Sequence, residues 1–104
     1  MDLNLTCLGY GGNCQIELMV ARMIRDLKAD IITLKLGINV YGSGSLNSRT
    51  LMHNVICFIV FVRETHQNTP IGMITPIYSC DRETNPNHVG MTLENYREEL
   101  RTAF

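Results

Sequence analysis

Two short stretches carry residue types that can hold a polar or anionic ligand without titrating: Gly9-Tyr10-Gly11-Gly12-Asn13 and Gly37-Ile38-Asn39. A glycine lacks Cβ and lets backbone N–H groups approach a ligand closely. An asparagine amide adds two donors and no charge. Neither can attack a carbonyl carbon, so covalent chemistry at this place would need another residue. The serines Ser43, Ser45, Ser48 and Ser79 have no strand-turn-helix elbow around them. Taken singly, a glycine cluster is most often a turn and a loop asparagine a backbone cap. The weight lies in the ordered pair, with Tyr41 and Tyr78 placed to border the same cleft.

These residues need elements to position them. Leu3 to Leu8 has a strand's length and stops at Gly9, before the turn signal Tyr10 to Asn13. Ile16, Met19, Val20, Met23, Ile24 and Leu27 then fall on one helical face. Ile31 to Leu36 is a short β-branched-rich run of the kind found in covered strands, and Gly37 to Ser45 is glycine-rich enough to be its loop. Asn47 or Ser48 can cap a second helix running to about Glu64, with Leu51, Met52, Val55, Ile56, Ile59 and Val62 inward. Ile71 to Ile77 reads as a third strand and Ser79 to Gly90 as a long loop. Thr92 caps a last helix, with Leu93 and Leu100 inward and Met91 placed to staple onto Tyr96. Alternating strands and helices imply a three-layer α/β arrangement of about three parallel strands, with ligands at their carboxyl ends.

Composition narrows the function classes. The 104 residues are 45% hydrophobic, enough for one compact unit. Nine Lys and Arg against ten Asp and Glu leave a net charge of -1, which gives no footprint for nucleic acid or an anionic membrane. The longest apolar run, Val55 to Val62, is far short of the roughly 20 residues that span a bilayer. With Met1 as the true start, the absence of a signal-peptide pattern implies a cytoplasmic chain. Cys7, Cys14, Cys57 and Cys80 lack paired spacing and read as buried reduced thiols, and no metal site is expected.

Leu8-Gly9-Tyr10-Gly11-Gly12-Asn13 and Gly37-Ile38-Asn39, in this order, resemble conserved blocks of the SGNH (GDSL-like) hydrolases, and Thr75 to Ser79 is similar to that family's fourth strand. The resemblance implies a flavodoxin-like sheet and a serine ester hydrolase acting on a small-molecule ester with no cofactor. It assigns Gly12, or Gly11 by one register, and Asn39 as oxyanion donors. Such a donor contributes about 3 to 4 kcal/mol when judged by its removal. Gly11, Tyr41 and Tyr78 would contact substrate. The departures are serious: Val40 stands where many members have aspartate, and no serine precedes Gly12. The residues three before His53, His66 and His88 are Thr50, Arg63 and Asn85, so no Asp-x-x-His is present.

Residues 1–104 are therefore expected to form a partial domain, inactive in isolation, that contributes oxyanion-hole residues to a full-length parent. The family's sheet order places a serine-bearing strand between Leu3–Leu8 and Ile31–Leu36, and its absence predicts self-association through unpaired edges. The alternative is a noncatalytic small-molecule- or protein-binding α/β fragment. A nucleotide-binding domain is disfavoured, because Gly9 to Asn13 is neither G-x-G-x-x-G nor a P-loop.

Overall fold

A computed structural model describes residues 3–104. Five helices and two strands are present among them: α1 (Leu18–Asp26), β1 (Ile32–Lys35), α2 (Ile38–Ser43), α3 (Leu51–Arg63), β2 (Ile71–Ile74), α4 (Cys80–Glu83) and α5 (Leu93–Ala103), with a 3-10 turn at Tyr10–Gly12. The fold class is α/β, with two parallel strands in place of the expected three. Leu3 to Leu8 forms no strand; Leu3 and Leu5 are largely exposed, at 78% and 89%. Its apolar alternation lacks a neighbouring edge within the chain, and a lone extended segment cannot satisfy its own backbone groups.

β1 and β2 pair in parallel, with Ile32 opposite Ile71 and Lys35 opposite Ile74. Ile32 N–H donates to Pro70 O at 2.9 Å and Leu36 N–H to Ile74 O at 3.2 Å. In a parallel ladder the intervening residues address the other edge. The backbone groups of Thr33 and Lys35 therefore point to a side where no strand lies among the described residues. Alternation also separates the faces. Ile32, Leu34 and Leu36 join the core with Val55, Phe58 and Val62 of α3, while Thr33, Lys35, Gly72 and Ile74 are exposed. The helices thus cover one face of the sheet, and the expected third layer is absent from the described residues.

The core is otherwise built by helical periodicity. Leu51, Val55, Phe58 and Val62 of α3 are buried, as are Leu93, Tyr96 and Leu100 of α5. Thr92 caps α5 in a full capping box: its hydroxyl accepts from Asn95 N–H at 3.2 Å and Asn95 Oδ1 accepts from Thr92 N–H at 2.9 Å. On α1 the apolar stripe is wider than the surface it covers. Ala21 is buried and Val20 and Ile24 pack on the core, but Met19, Met23 and Leu27 are exposed. Ile56 on α3 is exposed too, although its spacing placed it inward.

Two ties close the far end of the sheet. His66, 7% exposed, places Nε2 at 2.8 Å from Ile24 O, joining the ends of α1 and α3. Arg25 spans to Glu64 at 2.8 Å across the same helix pair. No helix among the described residues is long and apolar enough to cross a membrane. Cys7, Cys57 and Cys80 are exposed and Cys14 is half-buried, so the expectation of buried thiols fails for three of four. The interior is filled by aliphatic and aromatic side chains, which leaves these cysteines on outward positions.

Candidate functional site

The two residues that follow the glycine stretch meet Asn39. Cys14 N–H donates to Asn39 Oδ1 at 3.1 Å, and Gln15 Nε2 reaches Asn39 O at 3.5 Å. Asn39 stands in the first turn of α2 and is half-buried. The residues expected to be loop after β1 are thus a short helix, because Gly37 at φ 114° turns the chain sharply enough to start one at Ile38. Gly37 is required for packing as well: a Cβ there would lie 2.7 Å from Pro76 Cγ. It serves the junction of β1, β2 and α5 and offers no ligand approach.

The segment from Tyr10 to Ile16 is wound in unusual backbone conformations. Tyr10, Gly11, Gly12 and Ile16 all have positive φ, at 52°, 58°, 90° and 59°. Glycine adopts such angles freely, whereas a β-branched isoleucine does so only under constraint. Ile16 is held by burial at 2% exposure and by Asn54 Nδ2, which donates to Ile16 O at 2.5 Å. Gly11 and Gly12 are exposed, with nothing within 4 Å of an added Cβ. Their positions leave room for a ligand, and no strand delivers them.

The amide of Asn39 is oriented by that one acceptor role. With Oδ1 occupied by Cys14 N–H, Nδ2 must point the other way, and among the described residues no hydrogen bond engages it. Around it lies a small polar group: Ser43 Oγ donates to Gln15 Oε1 at 2.9 Å and sits 3.0 Å from Asn39 O, and Ser45 Oγ meets Gln15 Oε1 at 2.5 Å. Burial pushes the Cys14 thiol above its ordinary value, with a smaller opposing effect from hydrogen bonding to Ile16, so this cysteine is a poor thiolate nucleophile. Gln15, Ser43 and Ser45 carried no signal of their own in the sequence, since hydroxyl and amide side chains near glycines are common in turns.

Tyr41 and Tyr78 take separate places. Tyr41 packs edge-on against Tyr96 with ring centroids 6.1 Å apart, and its hydroxyl donates to Asn85 O at 2.8 Å. Both ends of the side chain are engaged, which makes it a strut between α2 and the turn after α4, a helix that interrupts the long loop expected over 79–90. Tyr78 is 75% exposed and lines a cleft with Lys35, Leu36, Ile38, Pro76, Ile77, Ser79 and Arg82. That cleft lies at the carboxyl ends of β1 and β2, and Ile38 in its wall directly precedes Asn39.

A solved structure titled salicylyl-acyltransferase SsfX3 from a tetracycline biosynthetic pathway is similar to this chain, with 31% sequence identity and a TM-score of 0.75. The match covers 86% of this chain and 25% of that one, so the chain spans about a quarter of that protein's length. No family model matches the chain, and no curated protein does. The expectation of an SGNH hydrolase is corrected accordingly: the similar structure is titled an acyltransferase. The physical ground is consistent with this, since the glycine stretch follows an irregular segment and the asparagine stands in a helix. The glycine block therefore lacks the strand on which the resemblance rested, and the asparagine block, although it follows β1, is helical where a loop was expected.

Proposed function

We infer that this chain is a ligand-binding part of an acyl-transfer protein, supplying uncharged donors to a carbonyl oxygen while the nucleophile comes from outside these 104 residues. The single observation that carries the reading is the Cys14 N–H to Asn39 Oδ1 bond, which ties Asn39 to the segment that directly follows the exposed Gly11 and Gly12 and leaves Asn39 Nδ2 without a partner among the described residues. Acyl transfer passes through a tetrahedral species whose oxygen bears negative charge, and donors fixed in advance stabilise it without reorganising. The similar structure's title, a salicylyl-acyltransferase, supports an acyl group as the thing moved. The three-layer sheet of the expectation would require a further layer on the face bearing Thr33, Lys35 and Ile74.

The test uses methylphosphonate as a stable oxyanion and a nitrogen-labelled chain. The Asn39 side-chain amide and the Gly11 and Gly12 N–H signals are expected to move together and saturably, and Asn39→Ala is expected to abolish the movement. Signals that stay still, or that move as well in Asn39→Ala, refute the reading. With an activated aryl ester the isolated chain is expected to give no burst. A burst lost on mutating one serine would instead reveal a nucleophile and overturn the assignment.

A further inference from the structure

We propose that the cleft between Lys35 and Arg82 is a binding site for a small organic acid, a flat apolar body carrying one carboxylate. The site stands apart from the acyl-transfer reading and does not depend on it. Its walls are of two kinds. Leu36, Ile38, Pro76 and Ile77 supply an apolar slot and Tyr78 an aromatic face, while Lys35 and Arg82 bring positive charge to it. At 280 Å³ the cleft lies just under the usual size range of small-molecule pockets, about 300 to 1,000 Å³.

The charges at this cleft are unbalanced. Among the described residues, ion pairs engage Arg25, Arg97 and Arg101, and neither Lys35 nor Arg82 takes part in one. Two acids flank Arg82: Glu83 is committed elsewhere, holding Arg97 at 2.7 Å and accepting from Ser79 N–H at 3.1 Å, and Asp81 is exposed, forms no ion pair with Arg82 and does not line the cleft. No carboxylate lines the cleft. An anion placed there would meet two cations rooted in different elements, one on β1 and one in α4. Arginine suits a planar carboxylate because its donors form a fork, and lysine adds a point charge. The apolar slot beside them excludes a bare inorganic anion as the best fit, since it would bury no apolar surface.

The mounting of the cleft favours a preformed site. The Glu83–Arg97 pair fastens α4 to α5, and Arg97 Nε donates to Pro76 O at 3.0 Å, so both the Arg82 turn and the Pro76 wall are fixed to one helix. Ligand binding then need not order the loop, which keeps its entropic cost low.

Benzoate is the probe, with benzamide as its uncharged shape mimic and inorganic phosphate as a bodiless anion. Benzoate is expected to bind saturably, with a Kd on the order of 1 mM for so small a ligand, and to shift amide signals of residues 76–82. Benzamide and phosphate are expected to bind at least roughly tenfold more weakly. Lys35→Gln and Arg82→Gln are each expected to weaken benzoate by roughly threefold or more, and together by tenfold or more. Both side chains are exposed, and an unchanged melting temperature certifies that the variants are folded. Equal binding of benzamide, equal binding of phosphate, absence of saturation, or indifference to both substitutions would each overturn the proposal.

Discussion

Replacing Tyr96 by phenylalanine removes one oxygen from a side chain that is wholly buried. That oxygen donates to Leu46 O at 2.6 Å and accepts from Asn87 Nδ2 at 3.0 Å. Asn87 Nδ2 keeps a second acceptor in Tyr41 O at 3.0 Å, whereas no other bond to Leu46 O is present among the described residues. The ring stays, so its packing and its edge contact with Tyr41 are retained and the loss is confined to the hydroxyl. A buried group left without its partner costs about 1 to 3 kcal/mol. For a domain of this size each kcal/mol moves Tm by about 4 to 8 °C, so Tyr96→Phe is expected to melt roughly 4 to 24 °C lower. Thermal unfolding followed by circular dichroism measures it, with urea unfolding showing an unchanged m value. Asn87→Ala should cost less in the Tyr96→Phe background than in the parent, by about 0.5 kcal/mol or more. A fall in Tm below about 2 °C, or additive costs for the two substitutions, would refute the reasoning.

Three further outcomes follow from the charges and the open edge. The Arg97 guanidinium holds the Glu83 carboxyl below its ordinary value, so folding removes protons from it. Its contribution is complete above the unfolded carboxylate value and drains away as pH falls through the lowered one, and the acid limb of Tm against pH should flatten in Glu83→Gln. Glu99 has the opposite sign. Burial raises its carboxyl and leaves Oε2 without a partner, so Glu99→Gln should melt higher than the parent at pH 7, with the gap closing in acid. An equal or lower melting temperature at pH 7 would contradict this. Finally, the unpaired edge at Thr33 and Lys35 predicts concentration-dependent self-association on size-exclusion chromatography, which Thr33→Lys should shift toward monomer by adding a charge to that edge. A single monomer peak for the parent at all concentrations would remove the prediction.

The amphipathic elements were readable because their burial is local. Leu93, Tyr96 and Leu100 follow the helical period, and Thr92 carries its own capping chemistry, so α5 could be placed to within a residue. Ile32 and Leu34 alternate with exposed neighbours, although the sequence suggested a strand covered on both faces. Leu3 to Leu8 misled because strand-forming composition does not supply a neighbouring edge. The helix at Ile38–Ser43 was hidden behind Gly37, Gly42 and Gly44, whose composition reads as loop while one positive φ at Gly37 in fact opens a helical turn. For the candidate site, the sequence singles out Gly12 and Asn39 by residue type, but the bond from Cys14 N–H to Asn39 could not be read there. A backbone N–H leaves no mark in the sequence, so a bond from one to a distant side chain cannot be read there. Lys35 carries no signal in the sequence and Arg82 reads there as solvated charge beside Glu83, for a related reason: surface charges acquire meaning only once their missing counter-charges can be seen.

The ladder between β1 and β2 also sets an order of assembly. Each rung joins residues that have the whole of α2 and α3 between them, so no nearby contact can start the sheet. Closing so long a loop is entropically costly until something already holds its ends together. The packing of α1 on α3 is available earlier, since both helices precede β2 in the chain. During synthesis the helical pair can therefore form before β2 has emerged, while the backbone edge of β1 that β2 will occupy is still open. Until then the chain carries an unpaired strand edge, and how fast residues 64–74 are delivered governs how long that window lasts.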